Sequence, residues 1–272
     1  MAQKRKTRLL GMMIVFCVMS HAFAADEQSM DNKQSVTHEQ TAASEETPPA
    51  LEISDPYEPV NRAIYTFNEV LDKLILKPVA TVYNKIIPNP IRKGIKNFYG
   101  NIDTIPTVIN DVLQGNIYQA TSDTWRLVIN STIGILGFFD VATEIGLDPN
   151  TEDFGLTLAQ WGYTKSNYLV LPFFGPSTPR DAVGIPIDYY AFSIYPYIHP
   201  PIRRYEIYGL GVVARRADLL SYENVMEQVS IDRYAFLRDA YLQRRAYLIQ
   251  RNKELGDPYL NKNKQEASES EG

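Results

Sequence analysis

The sequence predicts a mostly α-helical fold carrying one irregular, proline- and aromatic-rich segment, and three observations lead there. Apolar residues recur at helical spacing, as in Ile64, Phe67, Leu71 and Leu74, with Arg62, Asn68, Glu69, Asp72 and Lys73 on the other faces. No stretch alternates apolar and polar residues long enough to make a convincing strand. Seven of the seventeen prolines fall between Leu171 and Pro201, where neither a regular helix nor a central strand can persist.

The chain has 272 residues, enough for one large domain or two small ones and for a substantial core. Residues 1–24 read as a signal peptide: Lys4, Arg5, Lys6 and Arg8 form a positive start, Leu9 to Met19 an apolar centre, and Ala22-Phe23-Ala24 a cleavage box. Cleavage after Ala24 is the favoured exit. The alternative is lipidation of Cys17, although Phe16 stands where a lipoprotein signal normally has a small residue. Removing the signal takes four of the 27 basic residues and leaves 23 against 32 acidic ones, a formal charge of about −9. An acidic exported chain is a poor nucleic-acid binder. Residues 25–54 are rich in Glu, Gln, Ser, Thr and Ala and read as a disordered tether.

The folded part, 55–257, opens at Asp55-Pro56-Tyr57-Glu58, with Asp55 as N-cap, Pro56 at the first helical position and Glu58 completing a capping box. This first helix should reach Leu76 and stop at Pro78. Pro88-Asn89-Pro90 breaks the chain, and the next amphipathic segment, from Ile91, should be interrupted at Gly100 and Pro106. Val108–Leu113 ends at Gln114-Gly115, a glycine C-cap. A helix over Tyr118–Ile133 then leads into the apolar stretch Trp125–Ala142.

That stretch carries no charge from Leu127 to Val141 except Asp140. It is shorter than the roughly 20 apolar residues a spanning helix needs. Gly134 and Gly137 let the backbone bend or approach closely, and Asn130, Ser131 and Thr132 need partners or water at membrane depth. The stretch is either a re-entrant hairpin beside a wet cavity or a buried core helix ending at a glycine turn.

Beyond it, Thr178-Pro179-Arg180-Asp181 marks a helix start. Two helices follow, Ile202 to about Val225 and Ile231 to Arg251, and Gly256-Asp257-Pro258 ends the folded region, leaving 258–272 as a disordered tail. In the last helix Arg238 with Arg245, and Arg244 with Arg251, stand seven residues apart. They either meet lipid phosphates or form salt bridges with neighbouring acids.

Little in the chain points to catalysis. Of three histidines, His21 leaves with the signal, His38 is in the tether and His199 stands alone, so neither a histidine metal site nor a Ser-His-Asp triad has material. The mature chain offers no thiol. The lipase elbow, the phosphate loop and the dinucleotide fingerprint are all missing, so no cofactor is expected. The 18 tyrosines, two tryptophans and 11 phenylalanines suit either a membrane interface or an aromatic core.

Taken together, several short runs resemble the VacJ/MlaA family of Gram-negative outer-membrane proteins. They are Asp55-Pro56-Tyr57-Glu58, Asn61-Arg62, Tyr65-Thr66-Phe67-Asn68, Asn97-Phe98, Leu113-Gln114-Gly115, Arg126, Asn130-Ser131-Thr132-Ile133-Gly134, Gly137-Phe138-Phe139-Asp140-Val141-Ala142, Phe154-Gly155, Leu171-Pro172-Phe173-Phe174-Gly175, Arg180-Asp181, Arg238-Asp239-Ala240-Tyr241 and Gln243-Arg244. Each is weak alone, but their order and spacing are specific. The resemblance implies an all-α, ring-like arrangement of helices with a central amphipathic channel, in the inner leaflet of the outer membrane and facing the periplasm. It implies trimeric porins as neighbours, and non-enzymatic removal of misplaced phospholipids to a periplasmic lipid-carrier protein. On that basis Phe67, Asn68, Asn130, Ser131, Thr132, Gly134 and Gly137 are candidates for the lipid path. Leu127, Val128, Ile133, Ile135, Leu136, Phe138 and Phe139 are candidates for membrane insertion, and Arg238, Arg244 and Arg245 for headgroup contact. The competing reading is a soluble periplasmic helical scaffold or binding protein.

Overall fold

The computed structural model describes residues 55–229 and 232–256; the expectations for the signal peptide, Cys17, the tether and the tail lie outside the described residues. Helix α1 spans Glu58–Leu71. Its N-cap position falls on Tyr57 without a side-chain cap, and Pro59 occupies the place in the first turn expected of Pro56. Asp55 does not cap: it accepts from Asn61 Nδ2 at 2.8 Å and from the Tyr234 hydroxyl. Nor does Pro78 stop the helix. A five-residue π-helical turn, Asp72–Leu76, joins α1 to α2, Lys77–Ile86. The wider turn resets the register, so Pro78 lies in the first turn of α2, where no backbone donor is required.

Helix α3 runs unbroken over Asn89–Leu113, through Gly100 and Pro106. Packing against its neighbours on both sides outweighs the roughly 3 kcal/mol that an interior proline costs. Asn110 Nδ2 donates to the Pro106 carbonyl at 3.0 Å. Gly115 takes φ +78° and turns the chain into α4, Ile117–Thr132, capped by Asn116. Helix α5 is the single turn Val141–Glu144, and α6 is Phe154–Gln160, capped by Asp153.

A two-stranded antiparallel sheet, β1 Leu169–Leu171 and β2 Gly175–Ser177, was not expected; Val170 pairs with Pro176. Three residues are too few to show alternation, and what holds them is α1. Asn61 Oδ1 accepts from Val170 N at 2.9 Å. Asn68 donates to Leu171 O at 2.9 Å and accepts from Phe173 N at 2.7 Å. Thr178 caps α7, Pro179–Ile187, as the sequence indicated. The proline-rich stretch continues through a π-helical turn, Asp188–Phe192, and a 3₁₀ turn, Tyr195–Tyr197. Helices α8, Pro201–Val229, and α9, Arg233–Gly256, are somewhat longer than expected.

The contacts between elements close into a ring. Helix α1 packs on β1, β2 on α9, α9 on α6, α6 on α3, α3 on α8, α8 on α2, and α2 returns through the π turn to α1. The fold is thus all-α apart from the small sheet. Its packed apolar clusters are small and dominated by tyrosine: Tyr99, Ile102, Tyr189, Tyr195, Tyr208 and Val212 form one, and Tyr168, Val170, Tyr234 and Tyr241 another.

Candidate functional site

Many polar side chains are buried and many large apolar ones are exposed. Asn61, Thr107, Asn110, Asp111, Asp123 and Thr157 are almost fully buried, and of the large aliphatic side chains only Ile102, Leu156, Val170, Val212 and Leu248 are buried among the described residues. Outside, Phe67, Val70, Leu74, Ile75, Val79, Val82 and Ile86 line α1, the π turn and α2, with Leu74 72% exposed. A contiguous apolar face of this kind marks contact with a partner or a membrane. No helix of the described residues is long and apolar enough to cross a membrane.

Inside lies a cavity of about 340 Å³, at the low end of small-ligand pockets, roughly 300–1,000 Å³. Helix α3 gives it a polar stripe, Asn97, Asn101, Thr104 and Thr107; α4 contributes Arg126 and Asn130; the loop before α6 contributes Asn150, Glu152 and Asp153; and the π turn contributes Asp188. Tyr99, Tyr189, Tyr195, Tyr208 and Val212 supply apolar surface, so the lining is amphipathic.

Hydrogen bonds and ion pairs fix the polar part. Arg126 is buried; it donates to Thr143 Oγ1 at 3.1 Å and pairs with Asp140 at 3.3 Å. Burial works against the Asp140 charge, but hydrogen bonds from Thr143 and Asn130 and the Arg126 charge outweigh it and hold the carboxyl below its ordinary value. Glu152 is pushed up by burial; it pairs with Arg251 and accepts from Asn252 Nδ2 at 2.7 Å. Asp111 is pushed up to about 9 by burial and by the charges of Glu152 and Asp123. Its Oδ2 and the Asp123 Oδ1 have no other hydrogen-bond partner among the described residues, so a proton held between the two acids satisfies both.

The apolar turn after α4 reverses the chain with one helical limb. Ile135 and Leu136 both take positive φ, 53° and 57°, and Gly137 takes 88°. The conformation holds because its backbone is bonded inward: Leu136 N donates to Ser131 O at 3.0 Å, Gly137 N to Asn130 O at 2.7 Å and Phe139 N to Gly134 O at 2.9 Å. A side chain on Gly134 would meet the Phe139 carbonyl, and one on Gly137 would meet Asn101. With the backbone satisfied inside, Ile133, Ile135, Leu136 and Phe139 point outward, each more than half exposed. Val128 joins them, Leu127 is half-buried, and the half-buried Phe138 lies against Gly94 and borders a small pocket with Ile95, Phe98, Ile207 and Leu210.

The sequence candidates for the lipid path separate. Asn130 lines the cavity. Ser131 accepts from Asn101 Nδ2 at 2.9 Å, behind the lining, and Thr132 is exposed and donates to Val128 O at 2.7 Å. Phe67 and Asn68 do not line it: Phe67 packs edge-to-face on Phe173, and Asn68 grips the β1–β2 turn. The arginines of α9 mostly face acids of the protein. Arg245, expected at headgroups, is buried and pairs with Asp153 and Asp181. Arg238 pairs with Asp239 and Asp55, and Arg244 is half-buried. Sequence reasoning missed Asp188, and it took Arg126 and Asn97 only as family matches without a place in the site; the four-, three- and three-residue steps from Asn97 to Thr107 were the available signal for the α3 stripe. No group of three or more His, Cys, Asp or Glu among the described residues is arranged to hold a metal.

Residues 53–248 match the family model described as MlaA lipoprotein. The chain is 34% identical over 203 residues to the Escherichia coli K12 protein named intermembrane phospholipid transport system lipoprotein MlaA, covering 72% of this chain and 78% of that one. It is 36% identical over 201 residues to an uncharacterized protein of Rickettsia bellii, covering 73% and 78%. A solved chain from a study of the structural basis for maintenance of bacterial outer membrane lipid asymmetry superposes with a TM-score of 0.60 at 32% identity, covering 72% of this chain and 99% of that one. The chain belongs to the MlaA lipoprotein family.

Proposed function

We propose that this protein is a non-enzymatic component of an intermembrane phospholipid transport system. It lies in the outer membrane, in the leaflet facing the periplasm, and passes misplaced phospholipids from the outer leaflet through its ring to a periplasmic lipid carrier, beside a trimeric porin. The single observation that carries this reading is the pairing of an amphipathic cavity within with an apolar face outside. A phospholipid path has to wet the head while the tails stay in hydrocarbon, because exposing tails costs about 0.8 kcal/mol per CH₂. An amphipathic cavity inside an apolar ring meets both demands. His199 does not line the cavity. The exposed stripe on α1 and α2 weighs against a soluble scaffold.

The test is outer-leaflet phospholipid in a deletion strain. Its level should rise, with greater sensitivity to detergent and to a divalent-ion chelator. An unchanged level overturns the proposal, and release of the protein from membranes by a carbonate wash favours the soluble scaffold.

A further inference from the structure

Six carboxylates line the cavity, those of Asp103, Asp140, Glu152, Asp153, Asp188 and Asp218. Five have a basic partner: Arg215 on Asp103, Arg126 on Asp140, Arg251 on Glu152, Arg245 on Asp153, and Lys96 on Asp218 at 3.2 Å. Asp188 has none within ion-pair distance among the described residues. It is nonetheless held in place. Its Oδ1 accepts from Asn110 Nδ2 at 2.9 Å and its Oδ2 from Phe154 N at 2.9 Å, which leaves each oxygen a further lone pair. The cavity therefore carries one carboxylate more than its cations balance, at a fixed position.

We infer that Asp188 seats the primary ammonium of a phospholipid head, so that the cavity selects ethanolamine-type phospholipids over anionic, glycerol-headed ones. This rests on reading the cavity as a headgroup path. The phosphate is common to both lipids and does not discriminate; Lys96 and Arg215 are partly exposed and each has donors to spare. The terminal group does discriminate. An ammonium completes the one unbalanced ion pair, whereas a glycerol head brings a net negative lipid into a cavity whose charges already sum to negative. A charge-assisted hydrogen bond at a half-buried carboxylate is worth about a tenfold preference or more.

The seat also depends on pH. Burial, followed by the charge of Asp153 before α6, raises the Asp188 carboxyl to about 7, while Phe154 N, the Asn110 amide from α3 and Arg245 from α9 pull the other way. Below that value the free carboxyl is protonated and cannot pair with an ammonium.

The experiment uses the full chain in detergent with an equimolar mixture of dioleoyl phosphatidylethanolamine and dioleoyl phosphatidylglycerol, the bound lipids being quantified by mass spectrometry. At pH 8 the ethanolamine lipid should be enriched about tenfold. Asp188→Asn, which keeps the shape and removes the charge, should bring the ratio near one by admitting more phosphatidylglycerol. Wild-type protein at pH 5.5 should show the same collapse, and this arm decides the matter if the variant does not fold. A wild-type ratio near one, or a ratio unchanged by both the substitution and the pH, overturns the inference and leaves the transport reading standing. Failure to bind either phospholipid overturns both.

Discussion

Gly94 of α3 and the ring of Phe138 are in such close contact that a Cβ placed on Gly94 would lie 2.2 Å from the ring. The missing side chain is the socket by which α3 holds the apolar turn. Gly94→Ala should push Phe138 out and cost about 1–3 kcal/mol, the usual price of overpacking. Thermal unfolding of Gly94→Ala, Phe138→Leu and the double variant checks this. The two losses should be markedly less than additive, as for residues in contact; strict additivity would mean that the ring turns aside freely.

Asn130 ties both ends of the same turn, donating to Asp140 Oδ1 at 2.9 Å and accepting from Ala142 N at 2.9 Å. Asn130→Ala leaves the buried Ala142 N without its acceptor and takes one donor from Asp140, which keeps Arg126 and Thr143, and should cost about 1–3 kcal/mol. Because the Asp140 carboxyl lies below its ordinary value, the stability it contributes is present above the unfolded carboxylate pKa, about 3.9, and is lost as pH falls through the lower folded value. Wild-type unfolding midpoints should therefore drop steeply below pH 4, and those of Asn130→Ala less steeply.

Arg245 and Arg238 lie on one helix but should respond differently to loss of charge. Arg245→Met strands the carboxylates of Asp153 and Asp181, a loss of about 3–5 kcal/mol for a broken buried pair, read as low protein abundance in membranes. Arg238→Met leaves Asp239 partly exposed and leaves Asp55 with Asn61 and Tyr234 as donors, and should cost less than the loss at Arg245. Normal abundance of Arg245→Met with impaired binding of lipid phosphate would restore a headgroup role to Arg245.

Asp111 makes stability fall with rising pH. A carboxyl raised to about 9 in the folded protein contributes stability that is fully present below the unfolded value, about 3.9, and lost progressively as pH approaches 9. Glu152 shifts in the same direction. Asp111→Asn should flatten the decline and raise stability at pH 9 by about 1–3 kcal/mol. Unfolding midpoints between pH 5 and 9 measure it, and parallel curves for the two proteins would rule it out.

Much of the helical content was legible from spacing and caps: Gly115, Thr178 and the apolar run of α4 act where the sequence puts them. Pro78, Gly100 and Pro106 misled because local propensity costs only a few kcal/mol, which a π turn or two-sided packing offsets. The β1–β2 pair escaped notice since its order comes from Asn61 and Asn68, more than 100 residues away. The site was half legible. Apolar residues after Thr132 announced an outward face, but Asp188 sits among prolines and tyrosines in a stretch with no readable period, and only the closed ring brings it to Asn110 and Phe154.

The outward face of α1 and α2 also constrains how such a chain reaches its place. In water, Leu74, Ile75 and Ile86 would each leave more than half of their surface wet, so a folded copy released into an aqueous compartment would tend to adhere to apolar surfaces. If the proposed placement in the membrane holds, biogenesis has to keep these helices apart or escorted until lipid is at hand, and the side chains that meet the bilayer make delivery a guarded step.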